Sequence, residues 1–109
     1  MTAPHKQEFA EIEVGWLSQD DGGRSLPLRM TGRPAYSPHL RVGPTGESLG
    51  VAFVDGNPEV VSPGERGIAT VLLMYERVNY AALAPGAEFE VLEGPNVVGR
   101  GRVLRRFTK

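Results

Sequence analysis

Glycine and proline recur along this chain at intervals too short for a long helix to fit between them. Clusters fall at Gly22-Gly23, 32–34, Gly43-Pro44, 55–58, Pro63-Gly64, Pro85-Gly86 and Gly94-Pro95, drawn from 14 glycines and 9 prolines in 109 residues. Glycine opens positive φ and proline fixes its own φ, so each cluster marks a turn. The runs between them are short and rich in Val, Leu, Ile, Phe and Tyr. Regular turn punctuation around such runs predicts an all-β barrel or sandwich. No breaker-free stretch of about 12 residues carries a clean helical stripe. Residues 75–83 come nearest to a helix and read equally well as a loop.

Individual strands follow from the alternation. In 9–14, Ile12 and Val14 share one face and Glu11 and Glu13 the other, the pattern of a half-buried strand. Residues 49–54 and 68–75 are the most apolar runs and are expected to lie deepest. In 87–93, Phe89 and Val91 alternate with Glu88, Glu90 and Leu92. In 97–106, Gly99, Gly101 and Val103 alternate with Arg100, Arg102 and Leu104. Two glycines on one strand face imply close approach by a neighbouring group.

The length suits one domain, able to bury roughly 65% of the surface its unfolded chain exposes. A net charge of −1 supplies no global field toward nucleic acid or membrane. The absence of cysteine excludes disulfides, thiolate metal sites and cysteine nucleophiles, and suits a reducing cytoplasm. With no signal-like or membrane-spanning apolar run, the expected location is cytoplasmic.

Chemistry-bearing motifs are weak. Gly46-Glu47-Ser48-Leu49-Gly50 fits G-x-S-x-G, but a nucleophile elbow needs a strand before it, a helix after it and a later histidine. Here a loop precedes, a strand follows, and both histidines, His5 and His39, come earlier. Asp20-Asp21-Gly22-Gly23 lacks the later ligands of a calcium loop and reads as a glycine turn. No phosphate-binding glycine loop occurs. The pairs Glu11/Glu13 and Glu88/Glu90 read as solvated strand faces, and catalytic use would need a cleft. Five of the twelve basic residues, Arg100, Arg102, Arg105, Arg106 and Lys109, fall in the last ten positions. On a regular strand Arg100, Arg102 and Arg106 share a face. That face either grips phosphates or an acidic partner, or pairs with Glu88, Glu90 and Glu93 of the preceding strand, the second reading being preferred.

Taken in order, "FAEIEVGWLSQDDGGRSLPL", "GRP", "GV" at 50–51, "VVSPGE" at 60–65 and "FEVLEGPNVVGRGRVL" at 89–104 form a set. Together they resemble the C-terminal β-barrel, domain 3, of bacterial elongation factor Tu. The family's Leu-Ser turn with Gly-Gly-Arg is matched at 17–24 and its Tyr-Arg-Pro by Gly32-Arg33-Pro34. Its Met-Pro-Gly-Asp turn is matched by Ser62-Pro63-Gly64-Glu65. Its Arg-Glu-Gly and Val-Gly-x-Gly-x-Val are matched by Leu92-Glu93-Gly94 and 98–103. The resemblance covers about 8–106 and implies a six-stranded antiparallel barrel over 8–107, preceded by an N-terminal extension at 1–7.

The resemblance also shapes the functional expectation. The family's GTPase domain and second barrel have no counterpart here, so neither GTP hydrolysis nor a cofactor is expected. In the family this domain holds the T-stem backbone of aminoacyl-tRNA, packs on the other domains and meets the exchange factor. Arg24, Glu93 and Gly94 match the tRNA-contacting positions. The reading is a non-catalytic protein-binding module, a decoy, inhibitor or immunity-like protein linked to translation, with an apolar patch where the other domains would pack. The alternative is binding of the tRNA backbone through Arg24, Arg33, Arg100 and Arg102. Self-association through the uncovered face is a further expectation. No metal, membrane or DNA partner is expected.

Overall fold

The computed structural model describes residues 6–109, which leaves His5 and most of the N-terminal extension outside the described residues. The strands are β1 (Glu8–Trp16), β2 (Leu28–Arg29), β3 (His39–Arg41), β4 (Leu49–Gly50), β5 (Ala52–Asn57), β6 (Val60–Val61), β7 (Arg66–Leu72), β8 (Glu88–Glu93) and β9 (Asn96–Thr108). Seven of them form one antiparallel half-barrel sheet in the order β4-β3-β8-β9-β1-β7-β5, and β2 pairs with β6 in a small second sheet. A single 3-10 turn, Gln19–Asp21, is the only helical element among the described residues. Residues 75–83, the nearest to a helix in sequence, form a loop.

Only Val51 separates β4 from β5. Next to this break, the Val51 N–H donates to the Pro38 carbonyl (3.1 Å) and the Phe53 N–H to the Tyr36 carbonyl (2.8 Å). The segment leading into β3 therefore bonds to the opposite end of the sheet. The Gln7 and Lys109 backbones exchange two hydrogen bonds of 3.0 Å, which extend the β1–β9 ladder.

Alternation places the core as the sequence implies. Ile12, Val14, Phe53, Val71, Val91 and Val103 are fully buried. Contact requires the glycine at 101 and favours the one at 99. A methyl group at Gly101 would overlap the Glu13 carbonyl, and one at Gly99 would press Trp16 and Val14 at 3.2 Å. Trp16, Tyr36 and Phe53 pack edge to face or tilted, with centroids 5.2–6.0 Å apart. The loop after β7 closes one end with Tyr80 and Leu83, both buried in the main core.

Two expectations are corrected. In the 68–75 run only Ala69, Val71 and Leu73 lie deep, while Ile68, Met74 and Tyr75 are exposed, because a strand sends alternate side chains to opposite faces. Arg106 does not share a face with Arg100 and Arg102. Glu11 lies opposite Arg105 but Ile12 opposite Val103, so Leu104 is an extra, bulged residue that reverses the alternation beyond it. Arg105 approaches Glu11 (3.6 Å), whereas Arg106 donates to the Tyr80 and Leu83 carbonyls at 3.1 Å each.

Candidate binding surfaces

The Gln19–Asp21 turn explains the acidic-glycine stretch. The Asp21 N–H donates to Ser18 Oγ (3.2 Å), Gly23 N–H to the Ser18 carbonyl (2.8 Å), and Gly22 takes φ +92°. Ser18 is the N-cap, satisfying a donor that the turn leaves open. Among the described residues no group of three or more His, Asp or Glu is placed to hold a metal.

This turn delivers Arg24 to Glu93 at the end of β8, where the two form an ion pair. The Tyr36 hydroxyl donates to the same carboxylate at 2.5 Å, and the Arg24 guanidinium lies 5.7 Å from the Tyr36 ring centroid. Burial, reinforced by the Glu93 carboxylate, pushes the Tyr36 hydroxyl well above the ordinary tyrosine range. Gly94 follows at φ +58° in the Gly94-Pro95 turn joining β8 to β9. The structure thus brings Arg24, Glu93 and Gly94 together, and engages the Arg24 charge with Glu93. Tyr36 was missed in sequence because nothing local links it to a residue 57 positions away.

Arg100 and Arg102 lie elsewhere, on the outer face of β9. With Arg41, Arg66, Glu13, Glu88 and Glu90 they line a groove of about 660 Å³. Arg41 pairs with Glu90 (2.8 Å), Arg100 approaches the same carboxylate (3.7 Å), and Arg66 pairs with Glu13. Arg102 stands opposite Glu13 and Glu88 in the register yet makes no ion pair among the described residues. The expected pairing between β9 arginines and β8 glutamates therefore holds for Arg100 and Glu90. Arg41 and Arg66 were not foreseen, since only the β3–β8 and β1–β7 pairings bring them there. Arg33 is exposed before Pro34 and lines no part of this groove.

A third surface is apolar. On the outer face of β7 and its continuation stand Ile68, Thr70, Leu72 and Met74, with Ile68 46% and Met74 37% exposed. Val54 on neighbouring β5 and Tyr75 are also exposed. Beyond Leu72, Phe9 stacks on Phe107 (5.4 Å), and the register aligns Phe107, Phe9, Leu72 and Ala52 across four strands. Phe9 and Ala52 are buried but stand apart from the main core cluster.

Ser48 is exposed, and the strand β4 rather than a helix follows it, so the strand–turn–helix context of a nucleophile elbow does not form. Glu13, Glu88 and Glu90 do line a groove, with Glu13 and Glu90 taken up by arginine. No protein-family model matches the chain.

Proposed function

We propose that this chain is a cytoplasmic, non-catalytic binding module resembling domain 3 of elongation factor Tu, and that it binds a protein through the outer face of β5 and β7. The observation that carries the reading is the composition of the run from β7 through its continuation to Met74. Its inner side chains, Ala69, Val71 and Leu73, fill the core, yet its outer ones include Ile68, Leu72 and Met74. Strands that are apolar on both faces are those covered on both faces. Here only one face is covered by the chain itself, so a partner surface is the natural cover.

The six-stranded barrel of the family is supported by the join at Val51. Counting β4 and β5 as one interrupted strand leaves six, and the hydrogen bonds from Val51 and Phe53 to the segment before β3 link the two ends of the sheet. The matching turn at 62–65, with Gly64 at φ +90°, and the tightly packed Gly99 and Gly101 are consistent with the same resemblance. The alternative, tRNA-backbone binding, draws support from the unpaired Arg102 and exposed Arg33. It is weakened by the engagement of Arg24 with Glu93.

The test is affinity capture from host lysate at moderate salt with wild type, Ile68→Glu and Met74→Glu as bait, preceded by circular dichroism to confirm folding. A protein retained by wild type through rising salt and lost by both variants supports the proposal. An eluate enriched in tRNA that empties as salt rises, unchanged by the variants, replaces it with the RNA reading.

A further inference from the structure

The groove on the outer face of β1, β8 and β9 has a charge layering that a residue count conceals. Its lining carries almost equal numbers of arginines and glutamates. Two of its three glutamates are shielded and occupied: Glu13 and Glu90 side chains are 29% and 27% exposed, the first held by Arg66 and the second by both Arg41 and Arg100, whereas Glu88 is exposed opposite Arg102. Arg41 is as shielded as the carboxylate it holds, whereas Arg66 and Arg100 stand above the glutamates, 71% and 64% exposed. Each guanidinium has five N–H donors and no acceptor, so one ion pair leaves most of them unused. Arg102, exposed and without an ion pair among the described residues, has all of its donors available.

Glu88 apart, what this surface offers a visitor is therefore mainly donors, at a spacing set by the strand. Arg100 and Arg102 are two residues apart on one strand, about 6.7 Å along its axis. An extended peptide repeats its side chains on one face at the same spacing, so carboxylates at alternate positions match both guanidiniums at once, each in the bidentate geometry that arginine favours. Pro44 adds apolar surface beside the charges. A polyphosphate is a poorer match. Affinity for a nucleic-acid backbone is built from many phosphate contacts, and this groove offers only three exposed guanidiniums, those of Arg66, Arg100 and Arg102.

We propose that this groove seats an extended acidic segment of a partner protein, whose alternate carboxylates are taken by Arg100 and Arg102. The inference rests on the protein-binding reading above and adds the partner's chemistry. The two surfaces adjoin, because Glu13 and Arg66 border both the groove and the shallow dip beside Ile68. The partner's acidic segment thus runs alongside its apolar contact on β7.

The experiment is fluorescence anisotropy at low salt with three labelled probes: a short peptide alternating glutamate and threonine, its glutamine counterpart, and a single-stranded oligouridine of similar length. The proteins are wild type, Arg100→Gln, Arg102→Gln and, as a control outside the groove, Arg29→Gln. Expected are binding of the glutamate peptide at least about tenfold tighter than the glutamine one, a similar loss in each groove variant, and wild-type behaviour in the control. Equal binding of the two peptides, or tighter binding of oligouridine than of the glutamate peptide, overturns the inference. If that happens while Ile68→Glu still abolishes capture of a protein, the groove assignment alone fails. If Ile68→Glu is also without effect, the protein-binding reading fails with it.

Discussion

At the scale of single residues, two positions turn geometry into measurable energy. Gly101 has the Glu13 carbonyl where a side chain would begin, whereas Gly99 meets two side chains and the Gly15 carbonyl at 3.2–3.3 Å, contacts that a shift of a few tenths of an ångström relieves. Gly101→Ala is expected to lower stability by roughly 2–3 kcal/mol, and Gly99→Ala by less, as read from urea midpoints at constant m. Equal stability of Gly101→Ala and wild type would show that the strands do not approach so closely. Tyr36 gives a pH prediction. Its folded-state pKa is raised above the unfolded value of about 10, so its contribution is complete below that pH, where both states keep the proton. Above it the unfolded chain ionises first and stability falls, by up to about 1.4 kcal/mol per pH unit. Tyr80 is raised as well, by burial. Denaturation at several alkaline pH values should therefore show a steeper decline for wild type than for Tyr36→Phe, with some slope remaining in the variant. The glycine pair was legible in sequence because it breaks strand composition on one face. The Arg24–Glu93–Tyr36 cluster was only half legible, because two of its members come from matched motifs and the third from a contact across the fold.

Between residues and the fold stand the elements, and here the sequence reading went wrong where a strand is irregular. Hydrophobic alternation located β1, β8 and β9, and apolar composition located β7, but alternation assumes an unbroken period of two. One bulge at Leu104 was enough to exchange the roles of Arg105 and Arg106. Nothing in "RVLRR" signals which residue is extra; the partner strand decides it. The consequence falls on the loop after β7. Arg106 holds the Tyr80 and Leu83 carbonyls, and the Tyr80 hydroxyl donates to the Gly50 carbonyl at 2.6 Å. Arg106→Gln is expected to cost about 1–3 kcal/mol, and to raise proteolytic cleavage and amide exchange within the loop more than in the strands. Uniform protection loss along the chain would mean that the arginine supports the whole sheet rather than the loop. The apolar character of β7 was read correctly as composition and incorrectly as depth, since a one-dimensional pattern does not say whether a second layer lies outside.

For the whole molecule, fold class was legible because turn spacing is a global property of the chain: an all-β antiparallel sheet with its core on one face. Groove and apolar stripe were not, because each is assembled from strands far apart in sequence. Arg41 reaches Glu90 only through the β3–β8 pairing, and Arg66 reaches Glu13 only through β1–β7. The mutual hydrogen bonds of Gln7 and Lys109 have one more consequence at this scale. The points where the backbone enters and leaves the sheet are neighbours, so a linker of a few residues can join them without strain. A circular permutant reopened in the exposed turn between Thr45 and Gly46 is expected to keep the wild-type circular dichroism spectrum and most of the stability. Loss of the fold would mean that the β3–β4 turn must be covalently intact for the sheet to form. A unit with adjacent ends is also suited to be carried inside a loop of another protein, as a guest whose insertion barely moves the two sides of its host apart.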